Sequence, residues 1–224
     1  MINSAFQLAK EVDPNAQLLQ LDKSSIQAKS DWNKVFSCES EKRNLEVFYL
    51  WNKIGHLLPN FITAIRDYLK CVDLAIFKGE ESVIYHFQVK GEDFLYLGHL
   101  PVKESGKVQN FSDGLKAFYT EVHDGFYFQP SMALGPLPLS KMFCLADMSW
   151  EWMEEVDWDQ DLDLYKYIVV FSNGGGSYIS ILKDTSNLLD NEINSYAWWS
   201  DEEPDEEEFW PLLDVWMTSS LIED

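Results

Sequence analysis

Residues 167–181 read YIVVFSNGGGSYISI, and the fold class turns on how this stretch is understood. Tyr167–Phe171 and Tyr178–Ile181 are rich in β-branched and aromatic residues, so both read as strands, with a turn over Ser172–Ser177 between them. The competing interpretation of Asn173-Gly174-Gly175-Gly176 is a phosphate-binding loop. Such loops need a helix behind the glycines, and the Walker form also needs a Lys-Ser/Thr pair. Here a strand follows, so the expectation is a hairpin.

Working outward toward the N-terminus, a second hairpin signal appears. Ser82–Val89 alternates with a period of two, Lys90-Gly91-Glu92-Asp93 makes a turn, and Phe94–Leu97 returns. Ahead of it lie two helical stripes. Leu45, Phe48, Tyr49, Asn52 and His56 recur at three- and four-residue steps and predict a helix over about 41–57; Phe61, Ile62, Ile65, Tyr68, Leu69 and Val72 predict another after Pro59. The first forty residues are weakly patterned and read as a lead-in with one short helix.

The polar stretch 103–110, KESGKVQN, is the best candidate boundary. It divides the chain into 1–105, a helical and β-hairpin region, and 106–224, an α+β core; one continuous domain is the alternative. After it, Ser112 can cap a helix carrying Leu115, Phe118, Tyr119 and Val122, which stops at His123-Asp124-Gly125. Gly135-Pro136-Leu137-Pro138 is a stiff loop, Leu139–Met142 reads as a short helix, and a final helix is expected over about 205–220, burying Phe209, Leu212, Leu213 and Trp216.

Charge supplies the functional signal. The 224 residues hold 38 Asp and Glu against 17 Lys and Arg, a formal net charge of −21. From residue 150 onward there are 20 carboxylates and only Lys166 and Lys183, so nearly all the charge sits on the last third. Clustered cations are what bind nucleic-acid phosphate, so direct binding of nucleic acid is excluded and a basic protein partner is the leading idea. Two runs dominate, Glu151–Asp163 and Asp201–Glu208, and aromatic rings interleave with both. Interfaces use such rings as anchors and surrounding charge for steering, although the same rings could be pinned into the core beneath the carboxylates. The residues expected to touch the partner are Glu154, Glu155, Asp157, Trp158, Asp159, Asp161 and Asp163 in the first run. In the second they are Trp198, Trp199, Asp201, Glu202, Glu203, Asp205 and Glu206.

No catalytic or metal site is expected, and no cofactor. The spacing Asp157-x-Asp159-x-Asp161-x-Asp163 resembles the opening of a calcium loop, but Leu162 stands where the loop needs Gly and Ile168 where it needs a bidentate Glu. Cys38, Cys71 and Cys144 are widely spaced and read as reduced, packed thiols, while the four histidines are scattered singly with no nucleophile motif beside them. No apolar run is long enough to span a membrane and the start lacks a secretory signal, so the expected location is the cytoplasm, without membrane contact.

Four segments, FYTEVHDGFYF (118–128), GPLPLSKM (135–142), IVVFSNGGGSYISI (168–181) and FWPLLDVW (209–216), together resemble the SUKH superfamily over about residues 110–222. The family pattern maps onto Phe118, Asp124, Gly125, Leu137, Pro138, Phe171, Gly174 to Gly176, Trp198, Trp199 and Phe209. The first hundred residues and the acidic stretch after Met148 lie outside it. The resemblance implies an α+β fold with a mixed or antiparallel sheet wrapped by helices, no catalytic centre, and a bacterial immunity protein that neutralises a toxin from a contact-dependent or other polymorphic system. With the charge, it leads to the expectation of a cognate toxin domain, a basic nuclease, bound by the acidic aromatic-rich surface. The alternative is a non-catalytic regulatory or scaffold protein with a basic cellular partner.

Overall fold

The computed structural model describes residues 4–19, 31–103, 105–129, 131–148, 162–199 and 203–221. Its architecture is α+β, with two antiparallel sheets and, among the described residues, six α-helices. The first sheet is a meander of β2 (Leu69–Phe77), β3 (Glu80–Val89) and β4 (Glu92–His99). Two-residue turns join these strands. Lys78 and Gly79 have φ of 49° and 86°, and Lys90 and Gly91 have 50° and 91°. Both central residues are thus left-handed, the geometry whose twist matches that of the flanking strands. A short β1 (Gln17–Leu18) pairs with β2, and β5 (Phe126–Gln129) pairs with β4, giving the order β1-β2-β3-β4-β5.

β3 is buried on both faces, and successive side chains go to different cores. Val83, Tyr85 and Phe87 join the large core with α3 (Ser40–Trp51) and α4 (Pro59–Tyr68), whereas Ile84 faces α1 (Ala5–Val12). The small Ala5 and Ala9 let α1 lie close to the sheet. α2 (Trp32–Ser37) adds Trp32, whose Nε1–H donates to Val122 O at 2.7 Å. The first expected helix ends early, at Trp51, and passes into a tighter turn over Asn52–Ile54. The second ends at Tyr68, because Leu69 is extended and the chain enters β2; Leu69 and Val72, expected on the helix, pair with β3 instead.

After α5 (Asp113–Ala117) the chain widens into a π turn over Phe118–Val122 and leaves the helix at His123, which is extended. It then passes from the first sheet to the second, through β5 and β6 (Gly135–Pro136). The second sheet runs β11-β10-β9-β8-β6, with β7 (Phe143–Cys144) also on β8. Its strands are β8 (Tyr167–Ser172), β9 (Tyr178–Leu182), β10 (Asn194–Trp198) and β11 (Asp205–Glu208). The Gly-rich segment is the expected hairpin turn: Asn173 Oδ1 accepts the N–H of Gly175 at 2.8 Å and of Ser177 at 2.9 Å, which occupies N–H groups a phosphate cradle would need. The last helix, α6 (Phe209–Thr218), is shorter than expected, because Asp205–Glu208 are taken up as a strand by β10.

The large core draws residues from both sides of position 105, among them Trp51, Tyr85, Phe126, Phe171 and Phe209. A hydrogen-bond chain runs through its centre. Trp51 Nε1–H donates to the Tyr85 hydroxyl at 3.0 Å, Tyr85 donates to His123 Nε2 at 2.6 Å, and His123 Nδ1–H donates to His99 O at 2.8 Å. The Trp51 indole N–H, the Tyr85 hydroxyl and both His123 ring nitrogens are thereby paired, as most buried polar groups are. Burial holds His123 neutral, with its pKa lowered to about 3. The ring fits only because position 98 is glycine, where a Cβ would lie 2.4 Å from it.

Candidate functional site

β11 carries the feature that stands out. Asp205, Glu206, Glu207 and Glu208 form an edge strand in which every side chain is exposed. Four carboxylates in a row are poor strand formers, so the conformation comes from pairing with β10, in the register Ala197↔Asp205 to Asn194↔Glu208. Phe209 N–H donates to Ile193 O at 3.1 Å, which sets the alternation. Asp205 and Glu207 turn their main-chain groups to β10, while Glu206 and Glu208 turn their N–H groups to the free edge. Charge on such an edge repels other sheet edges, and it admits a partner that brings cations.

The carboxylates of β11 are held from within by neutral donors. Asn194 Nδ2 donates to Glu206 Oε1 at 2.9 Å and Trp199 Nε1 to Asp205 Oδ2 at 3.0 Å. Among the described residues none of Asp205–Glu208 forms a salt bridge, and all four side chains are exposed. Glu203 is exposed beside them.

The expected docking residues divide into three groups. Glu203, Asp205 and Glu206 are exposed, and Trp199 is half-buried against Trp216 at a ring separation of 5.3 Å. Asp163 precedes the turn Leu164–Lys166 that leads into β8, with Lys166 at 3.7 Å and its side chain accepting the Tyr165 N–H. Glu154, Glu155, Asp157, Trp158, Asp159 and Asp161 of the first run, and Asp201 and Glu202 of the second, lie outside the described residues. Trp198 requires a correction. It is fully buried, packs with Leu145 and Val169, and donates its Nε1–H to Ser180 Oγ at 2.7 Å, so it cannot touch a partner. Trp198 is the last residue of β10, paired with Tyr178 of β9, whereas Trp199 lies just beyond the strand. Phe209 and Trp210, rings that flank the second run, are likewise core residues. Glu207 and Glu208 belong with the exposed acidic group and follow from the same charge run.

One cluster was not visible in the sequence. Cys71 Sγ lies 3.7 Å from His86 Nδ1, and His86 Nε2 lies 2.7 Å from Asp93 Oδ1, a nucleophile-base-carboxylate order across β2, β3 and β4. Register brings them together, since Cys71 is opposite His86. Burial, reinforced by nearby Asp73, pushes the Cys71 thiol up to about 11, so it keeps its proton at neutral pH and donates it to His86. The His86 side chain is 3% exposed, which leaves a substrate no face to approach. The trio works as a cross-strand hydrogen-bond chain.

Among the described residues no group of three or more His, Cys, Asp or Glu side chains is arranged to hold a metal ion, and no helix is long and apolar enough to cross a membrane. Comparison with protein-family models, with curated proteins and with solved structures gives no match for this chain.

Proposed function

We propose that this protein is a non-catalytic, SUKH-type immunity protein that neutralises a cognate toxin domain, a basic nuclease, by binding it through the acidic edge strand β11 and the carboxylates that flank it. The observation that carries the reading is the run Asp205–Glu208: four exposed carboxylates on a free sheet edge, without an internal cation among the described residues. A nuclease must hold phosphate, so its cleft is basic, and a strand carrying one carboxylate per residue offers that cleft a substitute for a polyanionic backbone. Steering by such a field raises association rates toward about 10⁸–10⁹ M⁻¹s⁻¹, which suits a protein that must capture a toxin before it acts. The resemblance of residues 110–222 to the SUKH pattern supports the same reading from independent residues.

Co-expression with the protein encoded beside this chain tests it. The expected outcome is a complex that co-purifies at low salt and rescues growth from that protein's toxicity. Rescue without a complex contradicts the proposal, and a complex with a non-toxic basic protein favours a regulatory scaffold.

A further inference from the structure

Next to the end of β11 the surface opens into a cleft of about 330 Å³ between the start of α4, the turn at Asp190-Asn191 and the first two turns of α6. Its volume lies at the lower end of the range for ligand sites, roughly 300–1,000 Å³. The apolar lining comes from Leu57, Ile193, Phe209, Trp210 and Val215. Val215 is 55% exposed although it sits on α6, a helix with six buried residues. The acidic lining comes from Asp190, Glu208 and Asp214, and His56 is the one basic side chain among the lining residues. Glu208 belongs to both the cleft and the edge strand, so the charged run leads directly to an apolar hollow. The indole Nε1 of Trp210 adds a donor that is buried and has no hydrogen-bond partner among the described residues, an arrangement a molecule without a ligand here leaves uncompensated.

We infer that this cleft is the anchor pocket of the docking surface, and that it receives one large apolar side chain flanked by lysine or arginine on a protein partner. The inference rests on the docking reading above and deepens it. Charge selects the occupant: a neutral or acidic apolar group would enter past Asp190 and Glu208 against their field, whereas a cationic segment is drawn to it. The division of labour follows from the physics of interfaces. Exposed carboxylates speed the encounter but add little affinity, because solvent and salt screen them. An apolar side chain sealed in a pocket slows dissociation.

The test uses the full-length chain, 15N-labelled, titrated with three capped pentapeptides: KRFRK, KRARK and EDFDE. The expected result is that KRFRK shifts the Trp210 indole N–H and the backbone amides of Ile193 and Val215, and binds about tenfold tighter than KRARK. KRARK shifts only the amides of Asp205–Glu208, and EDFDE shifts none. Val215→Trp, which fills the mouth from an exposed position, abolishes the tenfold preference and leaves the β11 shifts in place; Val215→Lys does the same by placing a cation there. If KRFRK and KRARK give the same β11 shifts and equal affinity, the anchor pocket is overturned while the acidic docking surface stands. If neither basic peptide moves the β11 amides, the docking reading itself fails. Entry of EDFDE into the cleft as readily as KRFRK overturns the charge selection.

Discussion

Asp214 Oδ1 accepts the backbone N–H of Phe61 at 2.9 Å, and its second oxygen accepts that of Asn60 at the same distance. The last helix of the chain thus caps the start of α4, where no side chain of α4's own N-cap residue Leu58 does so. Burial raises the Asp214 carboxyl above its usual value, and the two N–H donors oppose that shift. Asp214→Ala would leave two N–H groups without this acceptor, that of Phe61 at a buried position, an expected loss of about 2–4 kcal/mol in denaturant unfolding. Asp214→Asn keeps one acceptor and is expected to lose about half as much. Equal stability of Asp214→Ala and wild type would show that the two helices are not coupled in this way.

His123 makes stability depend on pH. Its folded pKa of about 3 lies below the ordinary 6.5, so as pH falls below 6.5 the unfolded chain takes up a proton that the folded chain refuses. Stability is therefore full above pH 6.5 and declines at up to about 1.4 kcal/mol per pH unit until about pH 3. The buried carboxyls of Asp124 and Asp214, raised by desolvation, act with the opposite sign at the acidic end of that window. Urea titrations at pH 7 and pH 5 should show a decline of roughly 2 kcal/mol in the wild type. In His123→Asn, less stable at both values, that slope should be largely absent; an unchanged slope would mean His123 is not its source.

The adjacent tryptophans at the end of β10, Trp198 on the strand and Trp199 just after it, should separate cleanly. Trp198→Phe loses the bond to Ser180 and leaves space in a packed core, so a loss of about 2–3 kcal/mol with unaltered partner affinity per folded molecule is expected. Trp199→Phe removes the exposed bond to Asp205 and trims a half-buried contact with Trp216, so thermal stability should move by less than about 1 kcal/mol. Calorimetry on both variants, with binding measured on the folded fraction, distinguishes the two roles. Weakened binding by Trp198→Phe at full stability would contradict the burial.

Much of the fold was legible where local signals and tertiary pairing agree. The Lys90-Gly91 turn with its flanking alternation gave β3 and β4, Pro59 marked the start of α4, and the strand that follows Gly176 ruled out a phosphate loop. β2 was hidden because Leu69–Phe77 is buried on both faces, so it shows no period of two and extends the apolar stripe of α4. β11 was hidden for the opposite reason, since nothing in four consecutive carboxylates favours a strand until β10 supplies a partner edge. At the candidate site, charge pointed to Asp205 and Glu206, which are exposed on β11 together with Glu207 and Glu208. It could not tell which ring of Trp198-Trp199 faces inward, because that depends on the register of β10, nor bring Cys71, His86 and Asp93 together across three strands.

The central claim is that β11 captures a cationic partner. Stopped-flow association with the proposed partner, a basic toxin domain, for wild type and for the variant Asp205→Asn, Glu206→Gln, Glu207→Gln, Glu208→Gln, tests it most directly. All four side chains are exposed, so the variant should fold as the wild type does. At about 50 mM salt it should associate at least tenfold more slowly, and the difference should shrink toward zero near 500 mM as the charges are screened. Identical association rates at low salt, with a wild-type rate that does not change with ionic strength, would contradict the account.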